Sequence, residues 1–153
     1  FPKPCKSVVM IRRATLEDVK SIQELYGHLI PDDPVVPSDQ FDKAFTQIIQ
    51  AEGNVILVGE DQGHVVSTCY LNLIPNLTRS MRPYALIENV VTHPDHRRKG
   101  HGTAVLQAAM QVARDHGCYK VMLLTGSKRP STLKFYESAG LKANEKTGFH
   151  TRL

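Results

Sequence analysis

Val90-Val-Thr-His-Pro-Asp-His-Arg-Arg-Lys-Gly-His-Gly-Thr103 predicts a strand, a basic turn and a helix in direct succession. The β-branched run ends at the His93-Pro-Asp-His96 turn. From Gly100 a helical period takes over, with Val105, Leu106, Ala109, Met110, Val112 and Ala113 on one side and Thr103, Gln107, Gln111 and Arg114 on the other. Gly100 and Gly102 carry no Cβ, so an anion can approach the backbone closely. The first N–H groups of a helix lack intrahelical partners and, with the helix dipole, favour negative charge. Arg97, Arg98 and Lys99 add positive charge at the same end. By itself the pattern is equally readable as a tight strand-to-helix turn with a solvated basic edge. It is not a P-loop, which needs Gly-x-x-x-x-Gly-Lys and then Ser or Thr. Nor is it a dinucleotide fingerprint, because Val105 stands where the third glycine belongs.

On the N-terminal side, Val8-Val-Met-Ile11 is a short β-type run. Thr15 caps a helix carrying Leu16, Val19, Ile22, Leu25, Tyr26 and Leu29 at helical spacing, with Asp18 as capping-box partner. Pro31 to Pro37 is too proline-rich for regular helix. Ser38 caps a second helix with Phe41, Ala44, Phe45, Ile48 and Ile49 inward, and Gly53 stops it. Residues 54–58 and 65–74 read as strands joined by Asp61-Gln-Gly63, 76–83 as a polar loop and Tyr84 to Thr92 as a further strand. On the C-terminal side, Tyr119 to Thr125 is apolar enough for a buried strand with parallel neighbours. Pro130 opens a last helix that Gly140 closes. Leu141–Ala143 and Phe149–Leu153 are expected to pair as a final hairpin.

The chain has 153 residues, 41% hydrophobic and 22% charged, with a net charge of +4. That is one ordinary globular domain, large enough to need no disulfide or metal staple. Residues 1–9 are read as an N-terminal extension or cloning remnant without a secretory core, and residues 10–153 as the domain. No apolar run approaches a membrane span, and no membrane partner is expected. Cys5, Cys69 and Cys118 are odd in number and far apart, which fits a reducing cytoplasm. The mild basic excess does not demand nucleic acid. A module gripping nucleic acid through Arg97–Lys99 lacks an aromatic-lined basic surface or a helix-turn-helix pattern.

Arg97-x-x-Gly100-x-Gly102, following a strand that ends in Pro-Asp-His, resembles the acetyl-CoA motif of the GNAT superfamily of N-acetyltransferases. Ile11-Arg-Arg-Ala-Thr15 resembles that family's first strand and cap, Gly117 to Leu124 its fifth strand, and Phe135-Tyr136-Glu137-Ser-Ala-Gly140-Leu141 its Phe-Tyr-Glu-x-x-Gly-Phe signature. The likeness runs from about residue 9 to 153. It implies an α/β (α+β) fold: a mixed, twisted sheet of six to seven strands, the fourth and fifth splayed, flanked by about four helices. It also implies acetyl-CoA as co-substrate, a small primary amine as acceptor in a ternary complex, and a homodimer as the assembly. Val90, Val91 and Thr92 are then expected along the pantetheine arm, and Arg97, Arg98, Lys99, Gly100, His101, Gly102 and Thr103 around the pyrophosphate. A protein lysine or N-terminal acceptor, and a non-catalytic acyl-CoA-binding regulator, are the alternatives.

Glu88 is the only formal charge between Tyr84 and Thr92. It reads as a general base for the amine, its pKa raised by burial. It reads otherwise as a carboxylate pointing to solvent or pairing with Arg82. Tyr136 is core packing on composition and, by the resemblance, the acid that protonates the leaving thiolate. Asn89, Asp32 and Arg82 are candidate acceptor contacts, with Asp33 and Arg79 beside the last two. Lys128 or Arg129 reaches a phosphate if the loop before Pro130 turns inward. His93, His96 and His101 read as a solvated turn. No metal is expected, because no acid or cysteine completes a ligand set. Cys118 reads as a core thiol.

Overall fold

A computed structural model describes residues 9–153. The start of the first predicted strand at Val8, the bulk of the 1–9 extension and Cys5 lie outside the described residues. Five strands form one sheet in the order β1-β2-β3-β4-β5: β1 Met10–Arg13, β2 Asn54–Asp61, β3 His64–Ile74, β4 Tyr84–Thr92 and β5 Val121–Met122. The first four pair antiparallel, and β5 runs parallel to β4. The helices are α1 Val19–Leu29, α2 Ser38–Gln50, α3 His101–Asp115 and α4 Pro130–Ser138.

Alternation along the strands sends side chains to two cores. From β2, Val55 and Leu57 meet Cys69, Leu71, Ala85, Ile87 and the buried stripe of α3, Val105, Leu106, Ala109 and Ala113. Ile56 and Val58 point the other way, to Ala14, Ile22 and Phe45 under α1 and α2. A central strand covered by helices on both faces is apolar at consecutive positions, which is why Val55 to Val58 carries no polar residue. The turn between β2 and β3 is tight: Gln62 and Gly63 both have positive φ, as two-residue hairpin loops require.

A network of ions fixes the first helix. Arg12 donates to both oxygens of buried Asp18 at 2.7 and 2.8 Å and to Glu60 at 2.9 Å, while the Thr15 N–H donates to Asp18 at 2.7 Å. Asp18 is therefore more than a capping partner. The Arg12 guanidinium holds its carboxyl below the ordinary range, against the opposing effect of burial. The second helix begins at Ser38 itself, with Pro37 in the cap position and no side-chain cap.

Two sequence expectations are corrected at the C-terminal side. The apolar run 119–125 gives a ladder of only Val121 and Met122, and Leu124 is exposed. It is an edge segment whose one neighbour, β4, leaves it after two residues. The hairpin expected at 141–143 and 149–153 does not form, and Phe149 is 91% exposed. So short a β5 offers no edge for further strands, and among the described residues the sheet has five strands rather than six or seven.

Candidate functional site

Strands β4 and β5 are hydrogen-bonded only through Ala85–Val121 and Leu86–Met122. Beyond Leu86 they part, although β4 continues to Thr92. A β-bulge begins in the same stretch. On one side of it Thr68 faces Val91 and on the other Tyr70 faces Glu88, so Cys69 stands opposite both Asn89 and Val90. Asn89 takes φ +51°, a left-handed conformation that asparagine tolerates better than most residues. The extra residue reverses the alternation. Ala85 and Ile87 pack toward α3, and so does Val90, whereas Asn89 turns to the α1–α2 side.

The parted strands open a cleft of about 500 Å³. Its floor is Val90, Val91 and Thr92. One wall is the loop and first turn of α3, with Arg97, Arg98, Gly100, His101, Gly102 and Thr103; the other is Ser131, Thr132, Phe135 and Tyr136 of α4. Nearly all of the residues expected around the co-substrate are thus brought to one cavity. Lys99 is exposed and is not part of the lining. His96 from the turn before α3, His28 and Leu29 from the end of α1, and the α4 residues Ser131 and Thr132 complete it. Sequence reasoning assigned none of these five to the site; the one available signal was the pair of hydroxyls directly after Pro130, in the first turn of a helix.

The two glycines have different jobs. Gly100 is the cap of α3 at φ +87°, with open space where a Cβ would lie. Gly102 has no positive φ, but a Cβ there would sit 2.9 Å from Cζ of Phe135 and 3.3 Å from Oγ1 of Thr92. Close packing of α4 on α3 therefore favours glycine at 102, independently of any anion. The N–H of Ala104 donates to the Gly100 carbonyl at 3.0 Å, which leaves the N–H groups before it to face the cleft without helical partners. Arg97 Nε donates to the Thr92 carbonyl at 3.4 Å.

Tyr136 packs against the larger core and also lines the cleft. Burial raises its pKa, and the charge of Glu88 raises it further, so the phenol keeps its proton. Glu88 itself is exposed. The burial invoked for it from sequence is absent, and so is the pairing with Arg82. Arg82 donates instead to the carbonyls of Gly117 and Cys118 at 3.1 and 3.2 Å and holds the turn between α3 and β5. Asp32 and Asp33 lie exposed in the loop after α1, away from the cleft lining. Asn89 lines a second pocket of about 100 Å³ with Tyr26, Phe41, Phe45, Ile48 and Tyr70. Burial there pushes the Tyr26 hydroxyl up to about 12, with Asn89 acting in the opposite sense. Cys69 is fully buried, which also pushes its thiol up to about 12; Cys118 is half-buried.

The histidines are not a solvated turn. His28, His93, His96 and His101 stack edge to face in a row, with neighbouring ring centroids 4.7, 5.7 and 6.0 Å apart. His101 is 1% exposed. Asp61, from the end of β2, meets His96 and His101, and Glu24 meets His93. Asp61 and Glu24, acids that the sequence reading did not set beside these histidines, come from other elements.

Comparison with known proteins agrees with this geometry. A family model described as Acetyltransferase (GNAT) family matches residues 22–141. A glucosamine 6-phosphate N-acetyltransferase of Trypanosoma brucei brucei is 31% identical over 129 residues, 84% of this chain and 86% of that protein. An L-amino acid N-acyltransferase of Escherichia coli is 28% identical, over 85% of this chain and 77% of that protein. The solved structure of a putative acetyltransferase from Agrobacterium tumefaciens superposes with a TM-score of 0.90 at 41% identity, covering 94% of this chain and 99% of that one.

Proposed function

We propose, for a chain that belongs to the acetyltransferase (GNAT) family, that it transfers an acetyl group from acetyl-CoA to the primary amine of a small molecule by direct attack in a ternary complex. The observation that carries this reading is the cleft between β4 and β5, floored by open strand backbone and ended by the bare N–H groups of α3. Its volume lies within the usual range for small-molecule sites. The residues present fit the co-substrate. Arg97, Arg98 and the N–H groups at 102 and 103 suit a pyrophosphate, and the unpaired edge of Val90 to Thr92 suits an amide-bearing arm. Bound there, acetyl-CoA supplies a thioester whose acyl carbon is open to an amine.

The chain's own residues would then manage charge and protons. An N–H at the bulge, beside Val90, is the donor for negative charge developing on the thioester oxygen. Exposed Glu88 reaches water, so it takes the ammonium proton through a solvent molecule rather than as a buried carboxylic acid. Tyr136 retains its proton at neutral pH and gives it to the departing sulfur.

One observation bears on the acceptor. The pocket beside Asn89 is lined almost wholly by aromatic and aliphatic side chains. That suits the side chain of an amino acid, the acceptor class of the Escherichia coli relative, better than a sugar phosphate, the acceptor of the trypanosomal one.

The test is thiol release from acetyl-CoA with L-amino acids, glucosamine 6-phosphate, polyamines and peptides, run beside a melting curve with CoA. At a hundredfold excess over Kd, CoA should add about 2.7 kcal/mol, a melting shift of about 5–10 °C. Glu88→Gln should lower turnover roughly 10²–10⁴-fold at neutral pH, and less as pH rises and the amine arrives deprotonated. A melting shift without thiol release from any amine would leave a binder and no enzyme.

A further inference from the structure

We propose that Asp61, His96 and His101 form a binding site for a divalent transition cation of the zinc type, on the side of the α3 N-terminus that faces the β2–β3 hairpin. Asp61 Oδ2 stands 3.3 Å from His96 Nδ1 and 3.6 Å from His101 Nε2. The ligand atoms of all three residues lie within 4.8 Å of one another. Zinc bound tetrahedrally to nitrogen and oxygen at about 2.0–2.1 Å holds its ligand atoms about 3.3–3.4 Å apart. Two edges of the triangle therefore already approach the bound spacing.

The second observation is His101. It is buried, and neither of its ring nitrogens has a hydrogen-bond partner. Buried polar atoms are rarely left so, because each costs desolvation with nothing in return. Its Nε2 points at Asp61 from beyond hydrogen-bond range. A cation between them would satisfy that nitrogen and fix the ring with its proton on Nδ1. His96 and Asp61 retain partial exposure, with side chains 30% and 11% accessible, which gives the ion a way in and water a fourth position. Two imidazoles and one carboxylate are a donor set that suits zinc and its neighbours and disfavours calcium and magnesium. Its chemical consequence is a clamp between the β2–β3 hairpin and the 93–101 loop, beside the cleft whose lining His96 and His101 share. The neighbouring trio Glu24, His28 and His93 is more exposed and has no unpartnered buried nitrogen; it serves as the control.

The experiment is calorimetric titration of the chelator-stripped full chain with zinc chloride, together with the visible spectrum of the cobalt(II) form. The parent is expected to take one ion with Kd of about 1 µM or tighter and to show the intense bands of four-coordinate cobalt. Asp61→Asn and His96→Gln should each weaken binding about tenfold or more, whereas His93→Gln should change it less than about threefold. Asp61→Asn keeps the size of the side chain and His96 is part-exposed, so both variants should melt near the parent, and either one suffices. Absence of saturable binding below about 100 µM, binding indifferent to both substitutions, or binding lost only with His93→Gln would each overturn the proposal.

Discussion

Gly102→Ala separates a packing role from an anion-binding role, and the structure sets its size. The new methyl would lie 2.9 Å from Cζ and 3.2 Å from Cε2 of Phe135, well inside the roughly 3.5–4.0 Å at which carbon atoms rest. Overpacking of this kind costs about 1–3 kcal/mol. Alanine in place of glycine inside a helix returns about 1 kcal/mol. Phe135 borders the cleft, so its ring can give partway, and the net loss should fall mid-range between about 0 and 2 kcal/mol, about 1 kcal/mol or roughly 2–4 °C in melting temperature. Phe135→Leu removes the offending ring atoms. In that background the same alanine should be neutral or stabilising, giving a coupling of about 1–2 kcal/mol. The measurement is urea unfolding of the parent, both single variants and the double variant. Gly100→Ala is the contrast: its cost of about 1–2 kcal/mol comes from φ +87° and should not respond to Phe135→Leu. If the effects of Gly102→Ala and Phe135→Leu add within about 0.5 kcal/mol, the contact does not explain the glycine.

Tyr136→Phe should slow a chemistry-limited thiol-release assay roughly 10–10³-fold, at or below the general-acid range, with melting temperature and CoA binding close to the parent's; normal turnover would leave the ring as packing alone. Asp18→Asn should cost about 2–3 kcal/mol at neutral pH, because it leaves the Arg12 guanidinium short of its main partner. The folded-state pKa of Asp18 is depressed, so its contribution is complete above the unfolded value of about 3.9 and disappears as pH falls through the lower folded value. Urea midpoints taken from pH 6 down to pH 2 should therefore fall less steeply in the Asn variant than in the parent.

The sequence stretch from Val90 to Thr103 made the strand, the turn and α3 legible, because each is written locally: β-branched residues, Pro94, then two glycines before an apolar stripe. The helices were legible for the same reason. What stayed hidden depends on partners distant in the chain. The bulge at Asn89 exists only against Cys69 of β3, and no pattern within β4 announces it. Gly102 is explained by Phe135, which arrives on another helix. Arg82 looked free for an anion until the carbonyls of Gly117 and Cys118 came to it. Asp61 was read as a turn residue, and only the antiparallel return of β3 and β4 carries it to His96 and His101. The error at the C-terminus was of another kind. Apolar residues such as Val121, Leu124 and Phe149 were read as strand, but a ladder requires a neighbouring edge, and β4 has already turned away.

The strands lie side by side in the order in which they are synthesised. From β2 to β4 each strand needs only a short connection to find its neighbour, so little chain entropy opposes pairing. β5 is different. It can join only after α3 has crossed the sheet, and its two-residue ladder is a weak latch. In a refolding chain the meander from β2 to β4 should consolidate first, with α3 drawn onto it by Val105, Leu106 and Ala109. The gap between β4 and β5 would come last, once α4 is seated with Phe135 against Gly102. Burial and competence to bind would then be separate events in time. For an interval the chain is a formed sheet with a finished 93–100 turn and only one wall of its cleft, and a ligand added during that interval would speed the closing of the second wall without hastening anything before it.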